Sequence, residues 1–137
     1  TLTGGRLHVS DKEDLAQCVI ASGFPYDKHS DPDNNLNEWG AFLVRSRGVR
    51  RMGSAALDLC YVAAGRMDGY WEQKLGLWDC LGGILVVQEA GGTVTDYSGD
   101  SDSRRYAGGR IIASNGRIHA QMVDVLREAR GVVQAAD

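Results

Sequence analysis

Apolar residues along the chain keep two spacings in turn, every second position and every third or fourth, and this alternation predicts strands followed by helices. Arg6-Leu7-His8-Val9-Ser10 alternates as a strand does, and Ser10 three residues before Glu13 has the spacing of a capping box that opens a short helix. Gln17-Cys18-Val19-Ile20-Ala21 reads as a buried strand, stopped by the punctuation of Ser22-Gly23-Phe24-Pro25. A polar loop follows through Asn37. Leu36, Trp39, Phe42 and Leu43 then share one helical face, so a helix is expected to run to about Arg47 and to end at Gly48. Val49 to Met52 is short and extended, and Gly53-Ser54-Ala55 turns it into an apolar helix lined by Ala55, Leu59, Val62 and Ala63 and closed by Gly65. Arg66 to Glu72 is an aromatic, roughly alternating strand with Glu72 at its end. Thr93-Val94-Thr95 and Ile111-Ile112-Ala113 are short strands, and His119, Met122, Val123, Leu126 and Ala129 mark a terminal amphipathic helix. Strands alternating with helices argue for an α/β sheet covered on both faces.

The run from Trp78 to Gly92 stands apart, because a single acid, Asp79, sits between a tryptophan and a long apolar segment. Asp79 has the side chain of a helix N-cap, and Gly91-Gly92 offer a left-handed stop, so a buried helix is expected between them. Gly82 and Gly83 lie in its first turns. Each costs a helix about 1 kcal/mol relative to alanine, which implies that a backbone or a ligand comes close there.

Composition narrows the class. At 137 residues, 43% hydrophobic, with 15 basic and 18 acidic side chains and a net charge of −3, the chain has the size and core of one domain. No basic run exceeds Arg50-Arg51 or Arg104-Arg105, so no nucleic-acid partner is expected. No apolar stretch reaches the about eighteen residues of a membrane span. Cys18, Cys60 and Cys80 are odd in number, lie in apolar runs and lack ligand spacing, which suits reduced core thiols in a cytoplasmic setting.

Several residues invite chemistry. Asp31-Pro32-Asp33-Asn34-Asn35 suggests calcium, but a calcium loop needs glycine at its sixth position and glutamate at its twelfth, where Leu36 and Phe42 stand; a solvated loop is the better reading. Asp79 is either a cap or a carboxylate ligand for a hard cation at a helix N-terminus that also welcomes phosphate. Glu72 is either a surface glutamate or an acceptor for a polyol hydroxyl. Gly53-Ser54-Ala55 is either a capped turn or a place where substrate approaches the backbone. His8, His29 and His119 are scattered and no nucleophile motif is visible, so no catalytic triad is assigned.

Gly53-Ser54-Ala55-Ala56-Leu57-Asp58-Leu59-Cys60-Tyr61-Val62-Ala63-Ala64-Gly65, Asp68-Gly69-Tyr70-Trp71-Glu72, Trp78-Asp79 and Glu89-Ala90-Gly91-Gly92 closely resemble the C-terminal half of the inositol monophosphatase family. The match extends over nearly the whole chain. It implies the layered αβαβα sugar-phosphatase sandwich, of which residues 1–137 would supply the C-terminal α/β portion. It implies a Mg²⁺-dependent phosphomonoesterase in which Asp79 is a catalytic metal ligand that also touches substrate, Glu72 binds a substrate hydroxyl, and Gly53, Ser54 and Ala55 line the pocket. The substrate would be a small phosphomonoester, inositol 1-phosphate first, with histidinol phosphate and fructose 1,6-bisphosphate behind it; the family commonly forms homodimers. Most family metal ligands lie on a glutamate and an Asp-Pro-x-Asp-Gly-Thr segment of an N-terminal half, and Asp31-Pro32-Asp33 is not that segment. The chain therefore reads as half an enzyme, whose partner is the missing N-terminal half or a co-purifying fragment. The alternative is a non-catalytic fragment or binding module. Gly76 is a further departure, since inositol-specific members carry histidine there.

Overall fold

The computed structural model describes residues 4–101 and 109–136; Thr1 and the Arg104-Arg105 pair lie outside them. Five strands, β1 (Val19–Ser22), β2 (Gly48–Arg50), β3 (Gly69–Glu72), β4 (Thr93–Thr95) and β5 (Ile111–Ser114), form one sheet in the order β2-β1-β3-β5-β4. β1 runs parallel to both β2 and β3, and the pairings of β5 with β3 and β4 are antiparallel. Four helices, α1 (Leu36–Arg45), α2 (Ala55–Ala63), α3 (Leu77–Glu89) and α4 (His119–Ala136), cover it. The sheet is α/β with both faces packed, as the periodicity predicts.

The two faces carry separate cores. Tyr70, Ala21 and Ala113 meet Leu59 and Val62 of α2 and Cys80, Ile84 and Val87 of α3. On the opposite face Ile20, Trp71 and Ile112 meet Phe42 of α1 and Met122 and Leu126 of α4. Trp71, fully buried, stacks on Phe42 with ring centroids 4.1 Å apart, a contact worth about 0.5–1.5 kcal/mol beyond its area.

Several local expectations fail. Arg6 to Glu13 is neither strand nor helix. Ser10 gives its hydroxyl to the buried Asp68 at 2.6 Å, so it caps nothing, and Asp14 instead caps a short 3-10 turn over Leu15–Gln17. α3 begins at Leu77 with Gly76 as its cap, which places Asp79 in the first turn. α3 is also not buried all round: Trp78 is 93% exposed, and Leu81 and Leu85 face outward. Cys18 and Cys80 are core thiols, but Cys60 is exposed. Among the described residues no helix is long and apolar enough to cross a membrane.

The glycine pair in α3 separates into two cases. A Cβ on Gly83 would fall 2.6 Å from Leu59 Cδ1, so this glycine lets α3 lie directly on α2, whereas a Cβ on Gly82 would meet nothing within 4 Å. In this chain Gly83→Ala should therefore lower stability by about 1–3 kcal/mol through overpacking. Gly82→Ala should raise it by up to about 1 kcal/mol through helix propensity. Urea midpoints of the two variants check this; equal midpoints would show that α2 and α3 have room to separate.

Candidate active site

Parallel strands end on the same side of a sheet, and the crevice beyond those ends is where open α/β sheets bind ligands. Here β1, β2 and β3 all end at one edge, and a cavity of about 450 Å³ opens there. Gly23 to Tyr26 line it after β1, Arg51 after β2, and Glu72 to Leu75 after β3. The starts of α2 and α3 close it, with Gly53, Ser54, Ala55 and Ala56 on one side and Trp78 and Asp79 on the other. The five residues singled out from sequence, Gly53, Ser54, Ala55, Glu72 and Asp79, thus line one cavity although they come from three segments of chain.

Each is placed by local chemistry. Gly53 has φ +86°, a left-handed turn residue that lets the chain leave β2 and enter α2. Ser54 caps α2, its hydroxyl accepting from Leu57 N at 3.3 Å. Residues at the starts of α2 and α3 thus line the same space, and a helix N-terminus favours an anion. Asp79 is exposed in the first turn of α3, and a Cβ on Gly76 would come 3.0 Å from its Oδ2.

Glu72 is half-buried, and its carboxylate lies directly against Gly23, with no space for a Cβ between them. Burial pushes its carboxyl up to about 7; the Tyr70 hydroxyl opposes this, Asp58 and Asp79 add to it, and Arg51 opposes it. Behind it Asp58 is 1% exposed, and its Oδ1 meets no hydrogen-bond partner. Burial pushes the Asp58 carboxyl up to about 7 as well.

At the rim, Lys74 sits at φ +58° and reaches Asp27 at 2.9 Å and Asp31 at 2.7 Å. Arg51 lies over the Phe24 ring, 5.2 Å from its centroid. Sequence reasoning did not find Arg51, Lys74 or the Gly23 contact as site features. Glycine and proline at Gly23 to Pro25 signalled only a turn; the closeness to Glu72 comes from strand pairing.

The loop from Asp31 to Asn35 corrects the expectation of a solvated segment. Asn35 is 1% exposed, and Asp33 is half-buried and paired with Arg130 at 2.9 Å. Arg130 also bonds the buried Glu38 at 3.0 Å. A carboxylate such as Asp79 suits a hard cation. Among the described residues, however, no three His, Cys, Asp or Glu side chains come together to hold a metal.

The site is thus an acid-bearing cavity at the parallel strand ends of a mixed α/β sheet, flanked by the starts of two helices. The sequence model of the inositol monophosphatase family matches residues 1–130, and the chain belongs to that family. An inositol-1-monophosphatase of Synechocystis is 42% identical over 126 residues, covering 92% of this chain and 43% of the relative. The Nus factor SuhB of Pseudomonas aeruginosa is 44% identical over 116 residues, covering 83% of this chain and 42% of the relative. The solved inositol monophosphatase of Anabaena superposes with a TM-score of 0.85 at 43% identity, covering 89% of this chain and 48% of that one. The chain spans about half the length of the relatives it matches.

The buried acids make stability depend on pH with a definite sign. An unfolded aspartate titrates near about 4, and Asp58 folded titrates near about 7. Between these values the unfolded chain gives up its proton first, so stability falls as pH rises through the window and is level above it. Glu72, raised in the same way, adds to the slope. Asp58→Asn should flatten the slope without abolishing it and should be more stable than the wild type at pH ~8, by at most about 1.4 kcal/mol per unit of pKa shift. Urea midpoints at pH ~5 and ~8 check this; a variant less stable at the higher pH would mean that the carboxylate has a stabilising partner.

Proposed function

We propose that this chain forms part of a Mg²⁺-dependent phosphomonoesterase acting on a small polyol phosphate, with inositol 1-phosphate first and histidinol phosphate or fructose 1,6-bisphosphate as the alternatives within the family. The observation that carries the reading is the convergence of two helix N-termini and the carboxyl groups of Glu72 and Asp79 on one cavity. The helix starts of α2 and α3 favour the phosphate. Asp79 offers a hard oxygen ligand, and Glu72, desolvated against Gly23, accepts from a polyol hydroxyl. Gly53, Ser54 and Ala55 form the wall against which the ring of the substrate lies. Bound Mg²⁺ would activate water and neutralise charge on the phosphate.

The remaining ligands belong, on this reading, to the part of the relatives that this chain does not span. The outward face of α2 and α3, where Leu57, Leu81 and Leu85 are exposed, supports a further layer covering it. Exposed Leu36, Leu43 and Val44 on α1 support a second copy as homodimer partner. Free cysteines accord with a cytoplasmic setting. The non-catalytic alternative has one observation in its favour: the acids of this chain do not by themselves make a metal site among the described residues.

Assay of the full-length protein over a panel of phosphomonoesters, with and without Mg²⁺, tests the proposal. Asp79→Asn should reduce Mg²⁺-dependent turnover by roughly a hundredfold or more, since even residues behind a metal ligand cost 10–100-fold. Its unfolding midpoint should hardly move, because an exposed side chain is typically worth less than about 0.5 kcal/mol. Unchanged kinetics, or a stability loss as large as the activity loss, counts against the ligand role.

A further inference from the structure

Asn35 is the residue whose local behaviour is hardest to explain by folding alone. It precedes α1 with φ +74° and ψ 4°, a left-handed conformation that glycine adopts freely and asparagine tolerates better than most other residues, and its side chain makes no capping bond to that helix. Asparagine is among the best caps available, so a cap has been forgone. The side chain turns inward instead. Its Nδ2 donates to Gly23 O at 2.7 Å and to Ser22 Oγ at 3.0 Å, and its Oδ1 accepts from Trp71 Nε1 at 2.7 Å. Ser22 Oγ in turn donates to Trp71 O at 2.6 Å.

These four bonds fasten together the last residues of two neighbouring strands. Ser22 pairs with Trp71 in the parallel register of β1 and β3, so the next residues along are Gly23 and Glu72, the pair in direct contact at the cavity. The residue beyond Glu72 is anchored to the same loop, since Gln73 Nε2 donates to Asp33 O at 2.7 Å and Arg130 Nη1 donates to Gln73 Oε1 at 3.2 Å. Glu72 is thus held between two neighbours that both bond to the segment from Asp33 to Asn35, and the surface beneath its carboxylate is held by Asn35 as well.

We infer that Asn35 is a positioning residue of the cavity: through Gly23 O and Trp71 Nε1 it fixes the distance and angle at which the Glu72 carboxylate meets a hydroxyl of the ligand. The inference rests on the reading of Glu72 as the acceptor for a polyol hydroxyl. Strain stored at Asn35 is then part of how the site is pre-organised.

The test uses the full-length protein and Asn35→Gly, whose backbone adopts the left-handed region freely and which loses all three side-chain bonds. For a polyol phosphate, KM should rise about tenfold, the scale of one lost hydrogen bond, with kcat within about twofold. Phenyl phosphate, which has no hydroxyl for Glu72 to hold, should keep its KM. Glu72→Gln should show the same pattern, and the double variant should be no worse than Glu72→Gln alone. An equal KM rise for phenyl phosphate, or additive effects in the double variant, overturns the inference. Should Asn35→Gly not fold, Asn35→Asp, which keeps the acceptor for Trp71 and loses the donor to Gly23, decides by the same measurements. If the wild type hydrolyses no phosphomonoester, the functional reading fails and the inference is decided separately by carbon NMR of the Glu72 carboxyl. Its midpoint should move toward the ordinary range by about half a unit or more in the variant, and an unmoved midpoint overturns the inference.

Discussion

The parallel pairing of β1 with both β2 and β3 is the constraint on which the rest depends. Parallel strands cannot be joined by a tight turn, so each connection must travel back over a face of the sheet as a helix. All three strands then end at one edge, and α2 and α3 start from it. A cavity, two helix N-termini and the termini of three strands coincide there for topological reasons before any side chain is chosen. The side chains then specialise the place: glycine at Gly23 and Gly76 for close approach, acids at Glu72 and Asp79, and cations at Arg51 and Lys74 near the rim.

The edge is also where favourable packing stops. The two cores lie under the middle of the sheet, with Tyr70 facing one and Trp71 facing the other. One residue further along, Glu72 is desolvated against Gly23, and the like charge of Asp58 adds to its elevation. Lys74, which lines the cavity, and Asn35, which bonds to Gly23 behind its wall, both occupy left-handed backbone. Costs of this kind persist only where surrounding structure over-determines them. Here the surrounding structure is the hydrogen-bonded set of Asn35, Ser22 and Trp71 on one flank of Glu72 and of Asp33, Gln73 and Arg130 on the other.

The outer faces of α2 and α3 carry exposed apolar side chains. α2 and α3 bury one side against the sheet and leave Leu57, Leu81 and Leu85 in solvent on the other, with Trp78 beside the cavity. The relatives are about twice as long as the matched region, which supports the proposed further layer over this face.

Sequence alone determined most of the elements and the family. Periodicity marked α1, α2, α4 and all five strands, because those segments bury a stripe or a face whose spacing is written locally. Gly53, Ser54, Ala55, Glu72 and Asp79, which the family resemblance picked out, line one cavity because each ends a strand or opens a helix. What sequence missed depends on partners remote along the chain. Ser10 looked like a cap but serves Asp68, 58 residues away, and the start of α3 moved from Asp79 to Gly76. The polar run at Asp31 to Asn35 looked like a solvated loop. Its composition is that of a turn, and nothing within it reveals that Trp71 and Arg130 lie beside it. Only the tertiary structure decided that Asn35 is buried and that Gly23 lies under Glu72, because hydrogen-bond partners drawn from separate strands leave no periodic trace in sequence.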